Sequence, residues 1–153
     1  MDGTEVETNP WVHAVVETGP WAGWSMYGND PFEDHAGPFY YRTAKDGARI
    51  SAMRPEAKHM NGGGFMHGGA LMTFADYCLF IIAMDDLKDS RSVTATFNCE
   101  FVGAVAPGDL LECTGEVVKA GRSMVFVRGL MTVAGEAVLS FSAVLKKTAP
   151  RAK

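Results

Sequence analysis

The stretch GGALMTFADYCLFIIAM, Gly68–Met84, is an almost unbroken apolar run carrying one formal charge, Asp76, at its centre. It holds no proline, and its only glycines stand at its start, so it reads as a helix. Leu71, Phe74, Ala75, Cys78 and Ile82 project onto one face, while Met72, Leu79, Phe80 and Ala83 fill much of another. A helix apolar on nearly all sides has to be covered on nearly all sides. Asp76, with Met72, Thr73, Leu79 and Phe80 for neighbours, is therefore expected to be desolvated, with a raised pKa. Upstream lies Asn61-Gly-Gly-Gly-Phe-Met-His67-Gly68-Gly69, which brings an asparagine and a histidine to the helix start through a glycine-rich approach.

The segments on either side of the helix decide what covers it. FYYRTA (39–44) and ARISAMR (48–54) flank Lys45-Asp46-Gly47, the signature of a hairpin whose glycine accepts positive φ. After the helix, Val93, Ala95, Phe97, Cys99 and Phe101 alternate with polar residues, as in a half-buried strand. Pro107-Gly108-Asp109, Gly121-Arg122-Ser123 and Gly135-Glu136 then punctuate three further apolar segments. The order strand, strand, long helix, four antiparallel strands predicts an α+β hot-dog fold: a curved sheet wraps most of the helix, and a second copy covers the rest.

The 153 residues, 47% of them hydrophobic, suit one domain. We place that domain at residues 38–148, preceded by an irregular arm (1–37) and followed by a basic tail (149–153). The arm is broken by Pro10, Pro20 and Pro31, and its Trp11, Trp21 and Trp24 are expected to pack on the domain or on a partner chain. Asn9-Pro10 reads as a helix start leading into WVHAVVE. A net charge of −4 argues against nucleic acid as a partner. The cationic cluster of Lys146, Lys147, Arg151 and Lys153 reads as a solvated terminus. Cys78, Cys99 and Cys113 lack the spacing of a metal or redox site and read as reduced structural residues. The polar, acidic N-terminus and the charge within the apolar run point to a cytoplasmic protein without a membrane span.

The helix start offers amides that can polarise a carbonyl, and a carboxylate such as Asp76 can activate water or attack a carbonyl itself. Asn61 could orient the water or donate to a substrate. The bland reading of each residue alone is structural: Asp76 satisfied by Thr73, Tyr77 or an amide, and His67 acting as a helix cap. Jointly they are more specific. At a rise of about 1.5 Å per residue, Gly68 and Asp76 stand roughly 12 Å apart along the axis. Two helices packed antiparallel about a two-fold would place the start of one beside the middle of the other, so the expected site spans two chains of a homodimer.

His59, Asn61, Gly64, His67-Gly68-Gly69 and Asp76 together resemble the PaaI-like, phenylacetate-degradation type of hot-dog acyl-CoA thioesterase, with the likeness extending over about residues 38–147. The resemblance implies hydrolysis of an acyl-CoA thioester to free acid and coenzyme A, with no metal or cofactor beyond the coenzyme A of the substrate. It assigns Asp76 as general base or nucleophile and the Gly68 N–H as donor to the thioester oxygen from the opposite subunit. It has Asn61 and His67 orienting substrate and supporting the leaving group, and the Thr94 hydroxyl holding the attacking water where relatives often have serine. Gly69, Arg122 and Ser123 are candidate substrate-binding residues, the last two for the coenzyme A phosphates. A homodimer, and pairing of dimers into a tetramer, are further expectations. The rival readings are a hot-dog hydratase acting on enoyl or hydroxyacyl thioesters and a non-catalytic acyl-CoA sensor.

Overall fold

A computed structural model describes residues 13–28 and 30–150. From Tyr40 onward the elements follow the expected order. Strands β3 (Tyr40–Thr43) and β4 (Arg49–Met53) form the hairpin, helix α2 spans Gly68–Ile82, and β5 (Ser90–Phe101), β6 (Leu111–Ala120), β7 (Met124–Val133) and β8 (Glu136–Pro150) follow. In the first hairpin Gly47 has φ +87° and the Asp46 carboxylate accepts the Ala48 N–H at 3.0 Å, as the Asp-Gly turn predicts. A short helix α3 (Met84–Leu87) returns the chain to the sheet.

Ahead of Tyr40 the chain forms three short elements, where an irregular arm was expected: β1 (His13–Val15), β2 (Ser25–Tyr27) and α1 (Pro31–Ala36). His13–Val15 is a strand paired with β2, so the helix expected to begin at Asn9-Pro10 does not run through this segment; residues 1–12, Trp11 among them, lie outside those described. Trp21 stacks on Tyr40 at 4.1 Å between ring centroids, and the Arg42 guanidinium lies 5.1 Å from the centre of the Trp24 ring. These rings hold residues 21–24 against β3. One antiparallel sheet results, in the order β1-β2-β3-β4-β6-β7-β8-β5. At its far end β8 runs to Pro150 and carries Lys146 and Lys147 within the sheet, so these two lysines are not part of a solvated tail.

The core lies between α2 and the concave face of the sheet. Leu71, Phe74, Ala75, Tyr77, Cys78, Leu79 and Ile81 of α2 are buried against Met53, Leu111, Val127, Met131 and Leu139. At Gly115 on β6, a Cβ would lie 2.5 Å from Ile82 Cδ1 and 2.4 Å from the Arg128 carbonyl oxygen, so helix and sheet approach as closely as they do only because the side chain is a hydrogen. The single chain leaves one stripe of α2 uncovered: Gly69, Met72 and Asp76 are exposed, with Thr73 and Phe80 partly so. Asp76 is thus exposed in the chain and not desolvated as expected. Its apolar sequence neighbours point around the helix rather than over the carboxylate.

Candidate active site

The carboxylate on that stripe is held from the sheet. Thr94 Oγ1 donates to Asp76 Oδ1 at 2.5 Å, joining mid-helix to β5. Simple alternation from Val93 would turn Thr94 away from the helix. The pairing of β5 with β8 shifts between Thr94 and Thr96, however, and the inward phase changes there: Ser92 and Thr94 are partly covered before the shift, Phe97 and Cys99 after it. An extra residue in one strand re-aims its side chains in this way. Val93, expected inside, is accordingly 51% exposed.

Two cavities meet at Asp76. One of about 570 Å³ is lined by Tyr27, Glu33, Phe80, Arg91, Val93 and Thr94, among others. The second, of about 430 Å³, runs past Phe32, Met72, Thr73 and Phe97. Asp30 and Glu33, both from the arm, line both cavities, and neither is a site candidate on sequence grounds. The local signal was present: Asp30-Pro31 starts α1, with Asp30 Oδ1 accepting the Glu33 N–H at 3.0 Å and proline in the first turn. Burial, and after it the charges of Asp30, Asp76 and Asp34, push the Glu33 carboxyl up to about 8.

Asn61, His67, Gly68 and Gly69 gather at the start of α2. His67 is the N-cap, its Nδ1 accepting the Gly69 N–H at 2.9 Å, while Gly68, as first helical residue, has no intrahelical acceptor for its own N–H. Asn61 Oδ1 accepts from the amides of Gly63 (2.9 Å) and Phe65 (3.2 Å) and so shapes the glycine loop, in which Gly64 has φ +83°. A Cβ on Gly68 would lie 3.3 Å from the Phe101 ring. None of these four residues borders either cavity at Asp76. Arg122 and Ser123 are exposed on the β6–β7 turn. The row Met124, Lys146, Val93 across β7, β8 and β5 puts that turn at the same end of the sheet as Thr94, two strand spacings (about 10 Å) away.

Within the chain, then, Asp76 and Thr94 stand together at mid-helix, and the residues at the helix start form a separate cluster. Among the described residues no group of three His, Cys, Asp or Glu is placed to hold a metal ion, and no helix is long and apolar enough to cross a membrane.

Comparison with known proteins identifies the lineage. The model of the thioesterase superfamily matches residues 63–139. A protein of Pseudomonas aeruginosa, named as a candidate esterase, is 32% identical over 120 residues, covering 78% of this chain and 90% of that protein. Among solved structures, the PaaI protein of the Escherichia coli phenylacetic acid degradation operon has a TM-score of 0.69 at 20% identity, covering 80% of this chain and 87% of its own. A hypothetical thioesterase protein of Streptococcus pneumoniae, solved with coenzyme A, has a TM-score of 0.67 at 22% identity, covering 75% of this chain and 89% of its own. With the family model spanning half of its length and its long helix set in an antiparallel sheet like that of PaaI, the chain belongs to the thioesterase superfamily and has the hot-dog fold.

Proposed function

We propose that the protein hydrolyses an acyl-CoA thioester at two composite sites per homodimer. The observation that carries this reading is the separation of the two half-sites. Thr94 holds one oxygen of Asp76, whose side chain borders two cavities, while the Gly68 amide, roughly 12 Å away along the helix, has no acceptor in its own helix. An antiparallel pair of α2 helices makes the halves complementary. Strand β5 lies at the end of the sheet with Val93 and Phe101 more than half exposed, which suits a two-fold contact there.

In this arrangement Gly68 of the partner subunit donates its N–H to the thioester oxygen, and Asp76 acts as base or nucleophile. On the base route, Asp76 takes a proton from water, the water oxygen bonds to the carbonyl carbon, the C–S bond breaks, and the proton passes to the departing sulfur. Asn61 and His67 shape the donor loop. Gly69, Arg122 and Ser123 supply contacts to the substrate, the last two toward the coenzyme A phosphates. Two such dimers pair into a tetramer. The test is a panel of aryl, arylacetyl and aliphatic acyl-CoAs with detection of released thiol. Mixing Asp76→Asn subunits with Gly68→Val subunits, each inactive alone, should restore partial turnover. Confirmed subunit exchange without activity contradicts the composite site.

A further inference from the structure

We propose that Glu33, delivered by α1 of the N-terminal arm, is a positioning residue of the site, its carboxyl orienting the water that Asp76 deprotonates. This rests on the hydrolase reading above. Glu33 stands outside the 63–139 segment that matches the family model.

The placement is built rather than incidental. Helix α1 begins at the Asp30 cap and is fastened at its other end by two side chains from the segment before the glycine loop. Lys58 Nζ donates to the His35 carbonyl at 3.0 Å. His59 is buried, and its Nδ1 accepts the Glu56 N–H at 2.8 Å, so its Nε2 carries the proton and donates to the Ala36 carbonyl at 2.6 Å. Between these anchors Glu33 borders both cavities at Asp76. On its inner side a cavity of about 160 Å³ is shared with Tyr77, whose buried hydroxyl has no hydrogen-bond partner among the described residues. Glu33 thus stands between the two cavities at Asp76 and a third one that holds the Tyr77 hydroxyl.

The charges around Glu33 set its form. Asp30 and Asp34 lie on or cap its own helix, Asp76 and Tyr77 face it from α2, Tyr27 from β2, Lys58 from the turn at residues 57–59, and Arg91 from β5 across the larger cavity. With burial and three carboxylates opposing ionisation, Glu33 keeps its proton at neutral pH. A neutral carboxyl offers one donor and one acceptor to a water without adding negative charge where an oxyanion forms.

The test is kcat and KM from pH 6 to 9 for the full-length wild type, Glu33→Ala and Glu33→Gln, using an acyl-CoA turned over by the wild type. Wild-type kcat/KM should fall above about pH 8. Glu33→Ala should lower kcat at pH 7 about tenfold, the scale of one lost hydrogen bond, with KM little changed. Glu33→Gln, which keeps a donor and an acceptor but cannot ionise, should recover most of that loss and abolish the alkaline fall. Wild-type kcat in Glu33→Ala, or an unaltered alkaline fall in Glu33→Gln, overturns the proposal alone; absence of turnover in the wild type sinks the hydrolase reading and the proposal with it. Carbon-13 NMR of the Glu33 carboxyl supplies a readout free of turnover. Its midpoint should lie near 8 and move down in Asp76→Asn, and a midpoint in the ordinary carboxylate range overturns the proposal.

Discussion

Replacing Glu33 by Gln tests the docking of the arm through stability, with no reference to catalysis. On folding, the Glu33 carboxyl moves from 4.5 to about 8, first through burial and then through Asp30, Asp76 and Asp34. The folded chain therefore holds a proton that the unfolded chain releases. This contribution is most favourable below pH 4.5 and is lost progressively as pH rises toward about 8. At about 1.4 kcal/mol per pH unit, the full loss by pH 7 is about 3 kcal/mol. Because the side chain is only partly buried and borders open cavities, solvent screening reduces this to about 1–1.5 kcal/mol. Gln carries no such cost. For a domain of this size the gain corresponds to a Tm rise of about 3–5 °C. Thermal melts of both proteins at pH 5, 6, 7 and 8 should show the Gln variant pulling ahead as pH rises. A difference that is constant across this range, or one that reverses, refutes the placement of Glu33 against Asp76.

Thr94→Val keeps the shape of the side chain and removes the donor to Asp76. It should lower kcat about tenfold while leaving KM and the melting temperature nearly unchanged, as steady-state kinetics and a thermal melt will show. Gly115→Ala places a methyl group 2.4 Å from the Arg128 carbonyl oxygen and 2.5 Å from Ile82 Cδ1. Chemical denaturation should report a loss of about 2 kcal/mol or more, and an unchanged midpoint would contradict the close packing of α2 on β6.

The elements that local chemistry specifies were legible in the sequence. Gly68–Ile82 is long, apolar and free of internal breakers, and the Asp46-Gly47 turn fixes the first hairpin. Gly108 and Gly135 likewise stand at turns with positive φ. What depends on distant parts of the chain was not legible. The phase of β5 changes where its register against β8 shifts, and no alternation pattern within Val93–Phe101 announces that shift. The Asp30-Pro31 helix start is visible locally, but its seat beside Asp76 depends on His59 and Lys58, more than twenty residues downstream. The exposure of Asp76 has a similar origin. A run of apolar neighbours says how hydrophobic a helix is, and only the tertiary arrangement says which stripe the single chain leaves bare.

The proposed mechanism makes thioester hydrolysis depend on Asp76. Released coenzyme A, measured for wild type and Asp76→Asn on the same acyl-CoA with the assembly state of both followed by sedimentation, tests it most directly. Asn is nearly isosteric and removes the basic oxygen, so kcat should drop by about 10²–10⁴ with the oligomer intact. Turnover near that of the wild type in an intact Asp76→Asn oligomer would exclude Asp76 as base or nucleophile.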